Sequence, residues 1–454
     1  MKEKPIEKRN QITEGVIWKQ LLLFFFPIVF GTFFQQIYNT ADTVVVGRFV
    51  GKQALAAVGG SASQMVNLLV GFFVGLSSGA AVIISQFYGA RDEKNVRVTL
   101  HTAFAFSIAG GIVLTIVGIG LSKPVLQWMN TPKDIMADSI TYLYIYFCGM
   151  IFNLIYNMGS GILRAVGDSK RPLYVLIVTC ILNIILDVVF VVAFDMGVAG
   201  VAVATILSQA VSAGIVVWLL IRTREIYRLV PREVKFQGKS LKSILRIGVP
   251  AGMESVMYGI SNLVIQVFVN GLGTDTVAAW GTLAKIDAIF WMVINAFSIA
   301  ITTFVGQNYG AGKFARMRKS VKVCLAMSFV SAAVISVSLI LAGEVIYRLF
   351  TTDEKVIEIG VHMIRFMLPA YSIFVIVGIL SGALRGAGKV LVPMLLTCGG
   401  VCSLRLIWLF TVGRMIPGID TIMCSYPVSW SITAVLFIIY YLKKFPRSRE
   451  DMQV

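Results

Sequence analysis

Apolar runs of about 20 residues recur along the whole chain, and they constrain it more than any other feature, because a helix needs about that length to cross a hydrocarbon core. Short polar or Gly/Pro-containing connections separate the runs, and no stretch between them is long enough to form a folded domain of its own. Of the 454 residues, 57% are hydrophobic and only 14% charged, with a mean hydropathy of +0.82. That balance lies far outside the range of soluble globular proteins. Hydropathy and helix breakers therefore predict an all-α polytopic membrane protein with twelve transmembrane helices. The predicted spans are 17–46, 54–86, 98–121, 136–165, 172–194, 197–221, 244–271, 276–305, 320–343, 357–384, 391–413 and 421–442. Function is then expected within the membrane.

A net charge of +17 would suggest nucleic acid in a soluble protein, but here the basic residues lie between apolar segments and alternate in density from loop to loop. One set of loops and ends holds thirty Lys and Arg, including Lys2, Lys4, Lys8, Arg9, Arg447 and Arg449, and the opposite set holds seven. This asymmetry is topological and predicts both termini in the cytoplasm, in a multi-pass protein of the plasma (inner) membrane whose environment is the bilayer and not nucleic acid. The first 20 residues are polar and charged, so no removable signal peptide is expected. The six cysteines lie in or beside apolar segments without metal-type spacing, and His101 and His362 are far apart. No metal cluster and no cofactor is predicted from them.

The chain also repeats itself. FYGARDEKNVR at 87–97 returns as NYGAGKFARMR at 308–318, and SGILRAVGDSKRP at 160–172 returns as SGALRGAGKVLVP at 381–393. ALAAVG at 54–59 returns as TVAAWG at 276–281, and Pro27 meets Pro250, all at offsets of 221–223 residues. The expected organisation is two homologous six-helix bundles, 1–221 and 244–454, joined by a basic cytoplasmic linker at 222–243. Six helices per half give both halves one orientation, a plan that places a binding site near the midplane.

Within this frame, ionisable residues in apolar segments carry the functional signal, since a carboxylate at the centre of a spanning helix costs about 2.5–3.5 kcal/mol on insertion scales. In the first predicted helix Gln35, Asn39 and Asp42 fall at i, i+4 and i+7, on one face. The fifth offers Asn183 and Asp187, the sixth Thr205, and the fourth a stripe of Tyr142, Tyr146, Asn153, Asn157 and Ser160. Two carboxyls in a low-dielectric cavity either share a proton or hold a cation between them, and both arrangements make a coupling-ion site. The repeat places Ile265 opposite Asp42, Leu404 opposite Asn183 and Trp408 opposite Asp187, so the second half does not duplicate this set. It has instead Glu254 in register with Tyr258 and Ser261, plus Lys285, Asp287, Arg365 and Arg405 in later helices. Glu254 is expected to be a second protonatable group, a cation-attracting wall of a substrate cavity, or the partner of Lys285 or Arg405 in an internal ion pair. The spacing Gly71, Gly75, Gly79 predicts close helix packing. There is no phosphate loop and no nucleophile elbow, so no enzyme is expected.

The Pro27, Tyr38, Asn39, Asp42 pattern, the two SG-x-LR-x-x-G elements at Ser160–Gly167 and Ser381–Gly388, and the duplicated YGA loops together resemble the multidrug and toxic compound extrusion (MATE) family. Asn183 and Asp187 on the fifth helix, with Ala204–Thr205 on the sixth, complete the resemblance. It implies twelve helices in two V-shaped lobes. It also implies a secondary-active antiporter that exports organic cations and drugs, cationic or amphipathic small molecules, in exchange for inward H+ or Na+. The family's amino-lobe cation site would fall on Asp42, Asn183, Asp187 and Thr205, with Gln35, Tyr142 and Asn157 around it and Pro27 as the helix-bending proline. Glu254 matches an acidic position of some members, whereas the acid those members carry on helix ten is missing from FMLPAYSIFVIVG at 366–378. A monomer is expected. The alternative expectation is a lipid-linked oligosaccharide flippase of a related superfamily, for which Arg365 and Arg405 would supply a cationic cavity.

Overall fold

A computed structural model describes residues 11–446 and 448. Lys2, Lys4, Lys8, Arg9, Arg447 and Arg449 of the basic set lie outside the described residues. Among those described there is no strand, and twelve spans follow one another. They are α1 (Ile17–Val50), α2 (Lys52–Gly89), α3 (Glu93–Trp128), α4 (Lys133–Cys148 with Met150–Ala165), α5 (Lys170–Ala193) and α6 (Gly197–Arg222). The second six are α7 (Gly238–Asn270), α8 (Thr274–Gly310), α9 (Phe314–Phe350), α10 (Glu354–Gly386), α11 (Leu391–Met415) and α12 (Ile419–Lys444). Most are longer than their apolar windows. Helical hydrogen bonding continues past the last apolar residue into polar ends such as Glu93–Arg97 and Phe314–Lys319, which a hydropathy window cuts off.

Two local features depart from twelve regular helices. α4 is bent by 50° between its two segments. The stripe expected along it is thereby divided, with Tyr142 and Tyr146 on one segment and Asn153, Asn157 and Ser160 on the other. Gly149 marks the bend, and a Cβ there would come within 2.5 Å of the Ile206 side chain, so only glycine lets α6 approach this closely. Four spans also carry a wider π-helical turn, at Val46–Val50, Val58–Ala62, Val188–Ala193 and Thr397–Ser403. By contrast, the helix runs on through both Pro27 and Pro250, each removing one N–H donor from the ladder.

The described chain divides into two compact units, and the division falls within α1, α2 and α7. One, the Asp42 unit, comprises Pro27–Ile84 and Glu93–Leu263. Within it the glycine stripe of α2 meets α7: a Cβ on Gly75 would lie 2.4 Å from the Gly252 nitrogen, and one on Gly79 2.5 Å from the Ile244 carbonyl. Backbones come this close where side chains are absent, which is how helices associate without a hydrophobic driving force between them. The connection between α6 and α7 is fastened to α3: Val230 N–H donates to His101 Nε2 at 2.9 Å, and Arg97 pairs with Glu233. That guanidinium holds the exposed Glu233 carboxyl below the usual carboxylate range.

The other, the Asp287 unit, takes in the described residues up to Phe26, Ser85–Asp92, and those from Val264 on. Here α8 packs against α9 and α10, and α10 against α12. The duplicated YGA loops meet each other: a Cβ on Gly89 would lie 2.0 Å from the Gln307 carbonyl, and one on Gly310 1.8 Å from the Gln86 carbonyl. These positions are related by the 221-residue repeat, so the contact is reciprocal, as an internal two-fold relation requires.

Candidate functional site

Asp42 on α1, Asn183 and Asp187 one turn apart on α5, and Thr205 on α6 come together inside the Asp42 unit, each no more than 8% exposed. The Thr205 hydroxyl donates to Asp42 Oδ2 at 3.4 Å. Asn183 and Asp187 also interact with the Asp42 side chain. They do so without hydrogen-bond geometry: Asp42 Oδ1, both Asp187 carboxyl oxygens and both ends of the Asn183 carboxamide have no partner among the described residues. Four oxygen acceptors thus face one small buried volume. Desolvated polar atoms cost about 1–3 kcal/mol each when left unpaired, and a proton or a hard cation is the kind of species that oxygen acceptors in this arrangement could take.

Local helix geometry sets these residues. Asp187 stands immediately before the π turn Val188–Ala193, and Asp42 lies four residues before the π turn Val46–Val50. The two π turns pack on one another. A π turn advances the helix face by less per residue than an α turn, and such turns concentrate at functional positions. Around the carboxyls lie three tyrosines. Tyr142 is buried beside Asp42 and Asp187, and its ring stacks on that of Tyr146 at 5.9 Å. Tyr38 lies beside Asp42 and Thr205. Tyr146 lies beside Gln209, one turn beyond Thr205 on the same face. Tyr38 and Gln209 were legible as i, i+4 neighbours of Asp42 and Thr205, a signal that polar side chains in an apolar helix share a face.

Other expected residues are placed differently. Gln35 and Asn39 share the Asp42 stripe but are exposed, so burial begins only at Asp42. Asn157 is half-buried and spends its amide on the preceding turn, donating to Asn153 O and Oδ1 at 2.9 Å. Glu254 is buried and Tyr258 half-buried on the part of α7 that belongs to the Asp42 unit. Lys285 and Arg405 each lie over a ring, Phe350 at 5.5 Å and Tyr426 at 3.8 Å, whereas Arg365 is exposed and lines no buried set. No group of three or more His, Cys, Asp or Glu able to hold a metal occurs among the described residues.

The family model described as MatE matches the chain twice, over residues 27–189 and 250–411. The probable multidrug resistance protein YoeA of Bacillus subtilis is 27% identical, with 94% of this chain and 93% of the relative covered. YpnP of the same organism, also a probable multidrug resistance protein, is 30% identical over 86% and 87% of the two chains. Among solved structures, an outward-facing multidrug resistance MATE transporter of the MOP superfamily superposes with a TM-score of 0.88 at 21% identity, covering 95% of this chain and 97% of its own. A MOP superfamily transporter from Pyrococcus furiosus gives the same TM-score at 22% identity. The twelve-helix fold is that of these transporters. With two matched repeats spanning most of its length, the chain belongs to the multidrug and toxic compound extrusion family.

Proposed function

We propose that this multi-pass membrane transporter is a secondary-active antiporter that exports organic cations and amphipathic drugs in exchange for inward H+ or Na+. The buried Asp42–Asp187 pair with its unpaired oxygens carries the reading, because it offers an ion a site that the protein's own groups leave incomplete. Relatives named as multidrug resistance proteins support the substrate class. The coupling ion enters between Asp42, Asn183, Asp187 and Thr205 and neutralises one carboxyl. That shifts the α1 population between straight and bent forms about Pro27, where the ladder already lacks a donor. Ion and cargo favour different states of the same unit, and that competition is the coupling. Glu254 and Tyr258 stand on the wall that attracts the cargo's positive charge. The repeats 1–221 and 244–454, joined by the 222–243 linker, act as the two lobes of a monomer in the inner membrane with both termini cytoplasmic. The distribution of basic residues between loops supports that orientation.

The test is flux of a fluorescent organic cation in proteoliposomes with pH and sodium gradients imposed separately. Gradient-driven export by the native chain and none by Asp42→Asn or Asp187→Asn is the expected result. Near-native export by either variant overturns the reading.

A further inference from the structure

A cavity of about 800 Å3 opens within the Asp42 unit, between the first turns of α3 and residues 225–237 of the connection to α7. That is the volume of a small-molecule site. From α3 come Lys94, Arg97 and His101, at i, i+3 and i+7 and hence on one face, and from the connection come Arg228, Glu233 and Lys235. His101 closes the α3 side. Only 3% exposed, it accepts the Val230 N–H at Nε2, so its Nδ1–H donates to the Arg97 carbonyl at 2.6 Å and no ring nitrogen is left for a ligand. Arg97 is likewise spent, on both carboxyl oxygens of Glu233.

The remaining cations are not answered in the same way. Lys94 and Lys235 line the cavity from opposite walls, are exposed, and form no ion pair among the described residues. Arg228 gives its Nε to the Ile221 carbonyl at 3.1 Å. Against these three stand Glu93 and Glu225, so the lining keeps a positive excess after Arg97 and Glu233 have cancelled. The connection 222–243 as a whole carries seven Lys and Arg against two Glu. A solvated basic loop spreads such charges through water, whereas this one is fastened to α3 and gathers part of them around one cavity.

Its depth selects the kind of anion. The apolar part of α3 begins at about Val98, just inside the cavity wall formed by Lys94 and Arg97. Near the end of α6, where the connection starts, Trp218 is 52% exposed with the Arg222 guanidinium 5.1 Å over its ring. Tryptophan in that setting marks the level of lipid headgroups. Phe236, between the cavity residues Lys235 and Gln237, is also 52% exposed, an apolar ring on an otherwise polar segment at the same level.

We propose that this cavity holds the phosphate of an anionic phospholipid from the adjoining leaflet, with Lys94 and Lys235 on its oxygens from opposite walls and Phe236 in the headgroup layer. Ammonium groups bind phosphate as point charges, and basic pockets beside spanning helices suit anionic headgroups. The bound lipid ties the start of α3 to the connection. The site shares no residue with the Asp42–Asp187 set, and its occupancy is measured without transport.

The experiment is hydrogen exchange of the full-length protein in nanodiscs at neutral pH, in phosphatidylcholine alone or with about a third of phosphatidylglycerol. The anionic lipid should slow exchange across residues 93–101 and 225–237 about tenfold. Lys94→Gln combined with Lys235→Gln should abolish that slowing, and Lys94→Arg combined with Lys235→Arg should keep it. Lys239→Gln combined with Lys242→Gln removes the same charge from the connection outside the cavity and should also keep it. Inorganic phosphate or glycerol 3-phosphate added to phosphatidylcholine discs should not reproduce it. The proposal is overturned by no slowing in the anionic lipid, by slowing that persists in the Lys94 and Lys235 glutamine pair, or by its loss in the arginine pair. Equal loss in the Lys239 and Lys242 pair would reduce the effect to surface charge, and equal slowing by soluble phosphate would make the ligand a soluble anion; either overturns it as well.

Discussion

The two units carry different chemistry on repeats of one another. In the Asp42 unit, two carboxyls, an amide and a hydroxyl converge, and the unpaired atoms are mainly oxygen acceptors. In the Asp287 unit, the acid is held by Tyr371 and the excess is of donors, Arg405 and Trp430, on a bed of rings. The positions that would repeat the first site are used for packing. Ile265, opposite Asp42, is 1% exposed in an apolar cluster with Val269, Leu409 and Ile422, and Trp408, opposite Asp187, donates its indole N–H to the Thr421 carbonyl at 2.9 Å. The helix contacts differ too: α2 meets α7 glycine to backbone, whereas Phe25 at the start of α1 stacks on Phe297 of α8 at 4.1 Å. A duplicated frame has kept its helix count and loop motifs while its buried polar positions diverged, because lipid-facing and packing constraints act on every helix whereas a buried polar set need form in only one half.

The largest expected effect breaks the comparison at its strongest point. Asp42→Asn and Asp187→Asn each remove one of two carboxyls, and gradient-driven flux should be lost, a fall of about a hundredfold or more. Protein yield and melting temperature should stay near native, which proteoliposome flux beside a thermal melt checks. Placing a carboxyl at the repeat position, Ile265→Asp, should do the opposite. It buries an unpaired acid against Val269 and Leu409, destabilises the fold by about 3 kcal/mol or more, and creates no ion dependence. Detergent thermal melts read the loss, and a variant as stable as the native chain would show that this position tolerates an acid.

Next in size is packing. Gly75→Val drives a side chain into Gly252 and should cost about 1–3 kcal/mol, whereas Gly120→Ala, with nothing within 4 Å, should leave the melting temperature unchanged. The smallest effect lies outside the membrane. Arg97 lowers the Glu233 pKa, so the pair contributes throughout neutral pH and is lost only as pH falls through that lowered value. The protection factors against hydrogen exchange at residues 230–235, corrected for the intrinsic rate, should therefore fall on the acid side in the native chain. In Glu233→Gln protection should be low already at neutral pH, with export unchanged.

Much of this was legible in sequence, for identifiable reasons. Twelve spans follow from apolar length, since lipid leaves the backbone no alternative to helix. The repetition of the YGA loops was legible, though not that they would meet, and the Gly71–Gly75–Gly79 spacing announced a close crossing that α7 fills. Asp42, Asn183, Asp187 and Thr205 stood out because polar side chains in apolar helices are expensive and fall on inward faces. What hydropathy could not give is anything that depends on a neighbour. Gly149, where α4 bends, lies against Ile206 of α6, the π turns beside Asp42 and Asp187 lie where two helices pack, and the burial of Asp42 but not of Asn39 depends on what α5 and α6 cover. Arg405 shows the difference most clearly. The sequence counted it as one more charge in a membrane helix, and only the packing of α11 on α12 placed it on Tyr426 and Trp430, unpaired and across a ring cluster from Asp287. A sequence sets the cost of burying each group, but which groups meet is decided where helices from distant parts of the chain share one interior.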